Sequence, residues 1–67
     1  MEGKVEFLRQ GLSGPIYGLL DKGGLVVRQY TAKSAKEAFE FFLDQAKSLK
    51  EDDGITSIEF EGKIVDL

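Results

Sequence analysis

The stretch SAKEAFEFFLDQAKSLKEDDG, residues 34–54, decides the fold. Ser34 with Glu37 three residues later forms an S-x-x-E capping box, in which hydroxyl and carboxylate satisfy the first free amides of a helix. Ala35, Ala38, Phe39, Phe42, Ala46 and Leu49 then recur at helical spacing as one apolar stripe, widened by Leu43. Lys36, Glu40, Asp44, Lys47 and Lys50 fill the opposite face. Gly54 supplies the stop, because glycine enters the left-handed region without a Cβ clash. The acids Glu51, Asp52 and Asp53 face the negative end of the helix dipole, so the last turn is expected to fray or end early. The spacing predicts one helix.

Working outward, the flanks read as strands. Upstream, Lys4–Leu12, Ile16–Leu20 and Leu25–Thr31 are separated by Ser13-Gly14-Pro15 and by Asp21-Lys22-Gly23-Gly24, whose adjacent glycines favour a hairpin. Downstream, Ile55–Phe60 alternates, with Thr56, Ile58 and Phe60 on one face and Ser57 and Glu59 on the other. Glu61-Gly62 fits either a tight turn, which would make Lys63–Leu67 a fifth strand, or a bulge in one long strand. The expected fold is α+β: a single helix packed on a largely antiparallel sheet, in the order β-β-β-α-β with an optional last strand. Sixty-seven residues make one small domain, residues 1–67, with no linker or internal repeat.

Composition narrows the chemistry. Hydrophobic residues make up 42% and charged residues 31%, too apolar a balance for a disordered chain. Cysteine, histidine and tryptophan are all absent. That removes disulfides, the usual zinc ligands, Ser-His-Asp and Cys-His nucleophile systems and thioredoxin-type redox chemistry. Carboxylates, lysines and tyrosines remain, and they would need large pKa shifts in a sizeable cleft. The expectation is therefore no enzyme, no cofactor, no metal and no small-molecule substrate. No apolar run is long enough to span a membrane and the N-terminus carries no apolar signal core, so a cytoplasmic protein is expected.

Familiar motifs fail on their own terms. With Gly54 as the sixth position of a calcium loop, Leu49 and Phe60 would stand where carboxylates are required. Gly11-Leu12-Ser13-Gly14-Pro15 has proline in place of the last glycine of a nucleophile elbow, and there is no histidine to act as base. Neither a dinucleotide fingerprint nor a phosphate loop is present, so the glycines read as turn residues. The strands and capping box of residues 14–46 resemble part of double-stranded RNA-binding domains and of HicB-type antitoxins. The first helix and clustered helix-start lysines of the former are missing, as is the Pro-Gly-Cys turn of the latter. No functional residue carries over.

Charge and apolar pattern point instead to contact surfaces. Residues 1–33 hold five basic and three acidic residues, whereas residues 34–67 hold four basic and nine acidic, giving a net charge of −3. Consecutive apolar residues at Phe7-Leu8, Ile16-Tyr17, Leu19-Leu20 and Leu25-Val26-Val27 supply both faces of the sheet, although one helix covers only one face. A second apolar face on so short a chain points to a protein partner, in the first place a second copy. The expected function is thus a protein–protein interaction module, self-associating as a homodimer through Leu8, Tyr17, Leu19, Val26 and Tyr30, with Phe41 as an outlying anchor. The alternative is a nucleic-acid-associated module, in which Arg9, Tyr17, Arg28 and Tyr30 form a cationic and aromatic platform. The low isoelectric point, about 4.8, weighs against that alternative.

Overall fold

The computed structural model describes all residues from Met1 to Leu67. Five strands form one mixed sheet: β1 (Glu2–Gly11), β2 (Gly14–Leu20), β3 (Val26–Thr31), β4 (Ser57–Phe60) and β5 (Lys63–Asp66). Two helical segments, α1 (Ala35–Asp44) and α2 (Ala46–Asp53), lie between β3 and β4. The spatial order is β3-β2-β1-β4-β5. β1·β2, β2·β3 and β4·β5 pair antiparallel, while β1·β4 is parallel. The α+β class holds. The parallel pair follows from the helical crossover, which carries the chain from the β3 edge to the far side of β1.

The single expected helix is instead two segments. Gln45, at φ −94° and ψ 14°, interrupts it, and its amide donates to the Phe42 carbonyl at 3.0 Å, three residues back. That is a tight turn of 3₁₀ type, made without glycine or proline. Half of the capping box forms as expected, the Glu37 amide donating to Ser34 Oγ, while the Glu37 carboxylate accepts from the Lys33 amide, one residue before the N-cap, in place of the Ser34 amide. The helix does not end early. α2 runs to Asp53 before Gly54 closes it at φ 68°. Two side chains relieve the acidic end, because Arg28 Nε donates to Asp53 at 2.7 Å and the Ser48 hydroxyl donates to Asp52.

Both hairpins downstream of β2 are turns with identifiable chemistry. The Asp21 carboxylate accepts from the amides of Gly23 and Leu25, and Gly24 takes φ 86°. Glu61 at φ 51° and Gly62 at φ 79° form a two-residue β4–β5 turn, which resolves the choice between turn and bulge. Leu19, Ala32, Ala38, Phe42, Leu49, Ile55 and Ile58 make the buried core between the helices and one face of the sheet. No polar or charged side chain is buried. No helix is long and apolar enough to cross a membrane.

Candidate functional site: two surfaces on opposite sides of the sheet

Register assigns each strand residue to a face, since directly opposed residues share a side and neighbours alternate. Val5 opposes the buried Leu19, and Phe7 opposes Tyr17, which opposes Tyr30; these side chains are on the helix side of the sheet, where Phe7 stays 57% exposed. Gly18 points the other way. A Cβ built there would lie 2.8 Å from a Leu8 methyl and 3.1 Å from a Leu20 methyl, so those two leucines meet over it on the outer face. Ile16 shares that side by alternation, and Val26 joins it by opposing Leu20. The outer face therefore groups Leu8, Ile16, Leu20 and Val26 over β1–β3, together with Glu6 and Gln29, which oppose Gly18, and Arg9, which opposes Ile16. Over β1, β4 and β5 the same face carries Glu2, Lys4, Ser57, Glu59 and Asp66, with Ile64, which opposes Glu59 and is 60% exposed.

The six residues expected to form one apolar surface are divided between the two sides. Leu8 and Val26 are on the outer face. Leu19 is fully buried in the core and cannot touch a partner. Tyr17, Tyr30 and Phe41 lie on the helix side, where the Tyr30 and Phe41 rings stack at 3.7 Å and Phe7 meets Tyr17 edge-on at 5.7 Å. Phe41 is thus not an outlying anchor but the cover over β3. Ile16 and Leu20, which the sequence shows only as members of consecutive apolar pairs, are assigned to the outer face by strand parity counted from Gly18.

The cationic and aromatic platform also fails to assemble. Arg9 opposes Ile16 and so belongs to the outer face. Arg28 turns inward, with Nε donating to Asp53 and Nη2 donating to Ser48 Oγ at 2.8 Å, the one ion pair of the molecule. Tyr17 and Tyr30 are on that inner side with it.

The second surface is a groove of about 390 Å³ between α1 and the β4–β5 hairpin. Phe39 and Phe60, stacked at 4.6 Å, form its floor with Leu43 and Val65. Lys36 and Lys63 stand at its rim, with Glu40 and Glu61. All four charged residues are exposed, and no hydrogen bond or ion pair joins any two of them. No group of three or more acidic, histidine or cysteine side chains is arranged to hold a metal ion. The sequence signal for this groove was faint: Phe39 and Leu43 were legible as a helical stripe, but nothing in the order of residues brings the hairpin beneath them.

Comparison with protein-family models, curated proteins and solved structures finds no match to this chain.

Proposed function

We propose that the chain is a non-enzymatic protein–protein interaction module that self-associates through the outer face of its sheet. The observation that carries this reading is the apolar zone of Leu8, Ile16, Leu20 and Val26 around Gly18, on the side that no helix covers. Charge placement supports a second copy as the occupant. A two-fold axis near Gly18 lays Leu8, Ile16, Leu20 and Val26 on their counterparts and keeps Glu59 and Asp66 of the two copies apart, with Glu6 and Gln29, which oppose Gly18, inside the contact. Size sets the strength. At strand spacings of about 4.8 Å the zone covers only about 300 Å², well below the ~800 Å² per partner of a stable interface. The dimer is therefore weak and concentration-dependent.

Sedimentation velocity over a concentration series tests this. The wild type is expected to shift toward twice its monomer mass at high micromolar concentration. Val26→Glu is expected to stay monomeric with unchanged stability, since Val26 is 40% exposed in the monomer. A wild type that remains monomeric, or a dimer indifferent to Val26→Glu, overturns the reading.

A further inference from the structure

We propose that the free edge of β5, together with the groove under α1, captures an extended peptide as a sixth strand, with an apolar residue followed two positions later by an acidic one. This surface lies on the helix side of the sheet, and the proposal is independent of self-association through the outer face.

Backbone geometry comes first. β5 pairs with β4 alone, so one of its edges is open. The two-residue turn makes Phe60 and Lys63 the closing pair, and the Leu67 amide donates to the Thr56 carbonyl at 3.0 Å. Alternation between these fixed points directs the backbone groups of Lys63 and Val65 toward β4. The N–H and C=O of Ile64 and Asp66 therefore face outward, with no strand to meet them. Unpaired strand edges are templates for another chain.

The other edge of the sheet differs. β3 is roofed on its helix side by the Tyr30–Phe41 stack and by the Arg28–Asp53 pair. No groove runs beside it. At β5 the helix instead stands off, leaving the 390 Å³ groove alongside the open edge. An added strand would project alternate side chains into that space.

The two groove-side residues of β5 fix the chemistry. Lys63 and Val65 are two apart and line the groove. On the open edge they occupy the closely spaced, non-hydrogen-bonded positions, where cross-strand side chains meet. A residue opposite Val65 faces the groove that Leu43 and Phe39 also line, which calls for an apolar side chain. One opposite Lys63 faces the groove that Lys36 also lines, and a carboxylate there is attracted by ammonium groups that have no ion-pair partner in the molecule. Glu61 is in the turn, past the end of the strand, and Glu40 faces from the helix, so neither carboxylate occupies that cross-strand position. For an added strand antiparallel to β5, the direction proposed, the motif reads apolar, any residue, acidic from N to C.

A displayed library of random dodecapeptides, selected against the intact chain, supplies the probe. Enriched peptides should carry that motif in that order. Amide exchange by NMR should then show new protection at Ile64 and Asp66 when the peptide binds. Ile64→Pro removes an outward N–H that makes no internal bond, and should weaken binding about tenfold or more. Lys63→Glu, on an exposed side chain that leaves the fold intact, should weaken it about two- to fivefold, the size of an exposed charge pair, and shift selection toward basic residues. No enrichment, binding unchanged by both substitutions, or protection appearing at β3 instead would each overturn the proposal.

Discussion

Two glycines that look equivalent in the sequence are predicted to behave oppositely on substitution. A Cβ on Gly3 would sit 2.9 Å from Leu19 Cδ1 and 3.4 Å from Ile55 Cγ2, and both of those side chains are fully buried. Neither can swing away in a close-packed core. Gly3→Ala is expected to lose about 1–3 kcal/mol in urea unfolding, the scale of overpacking. At Gly18 the contacted atoms are the methyl ends of Leu8 and Leu20, which are only half-buried and border solvent. Gly18→Ala is expected to change stability by less than about 1 kcal/mol, since rotamer shifts and the gain in strand propensity offset each other. Equal losses at both sites would show that the two faces are equally packed, against the division drawn here. Arg28 belongs to the same scale. Its fork reaches Asp53 and Ser48 together, so Arg28→Lys should recover little of the roughly 1 kcal/mol expected to be lost in Arg28→Ala. Facing was the least legible property of single residues. Irregular pairing at Phe7/Arg9 and Leu19/Leu20 shifts strand parity, and that is why a plain count mixed Leu8 and Val26 with Tyr17, Leu19 and Tyr30.

Among the elements, the β4–β5 hairpin invites improvement. Glu61 holds φ 51° without a side chain suited to the left-handed region, beside Gly62 at φ 79°. Asparagine tolerates that conformation and makes Asn-Gly, the favoured pair for a two-residue turn. Glu61→Asn is expected to gain about 0.5–1 kcal/mol, seen as a rise of roughly 2–8 °C in Tm for a domain of this size. A lowered Tm would mean that the Glu61 carboxylate has a role its exposed position does not suggest. The same element scale shows what the sequence could convey. The Ser34 cap, the stripe through Ala38, Phe42 and Leu49 and the Gly54 stop are local patterns, and each forms as its spacing implies. The interruption at Gln45 has no breaker residue to announce it. The parallel β1·β4 pair depends on where a crossover lands, which no window of residues encodes. The survival of the last helical turn depended on Arg28, which is distant in sequence from the acids it neutralises.

For the whole molecule, size argues that association is an addition to a finished monomer. The radius of gyration is 10.9 Å, against about 11 Å expected for a compact chain of this length. The accessible surface is 4263 Å², against about 4,200 Å² expected for a monomer of 7.4 kDa. No surplus surface waits to be buried, so the self-association proposed above would draw on the outer-face apolar residues alone. Electrostatics opposes it, because each copy carries −3 and most of its acids lie in residues 34–67. Salt should therefore strengthen self-association: near 1 M the Debye length falls to about 3 Å and repulsion between whole copies is screened, while apolar contact is not. Sedimentation equilibrium at low and at about 1 M salt is expected to show the dimer fraction rising. The nucleic-acid alternative carries the opposite sign, since phosphate binding releases counterions and weakens steeply as salt rises. A dimer that dissociates with added salt would place charged contacts, not Leu8, Leu20 and Val26, at its centre. Paired with titrations of DNA and RNA at low salt, the one measurement separates a surface made of leucine and valine from one made of arginine.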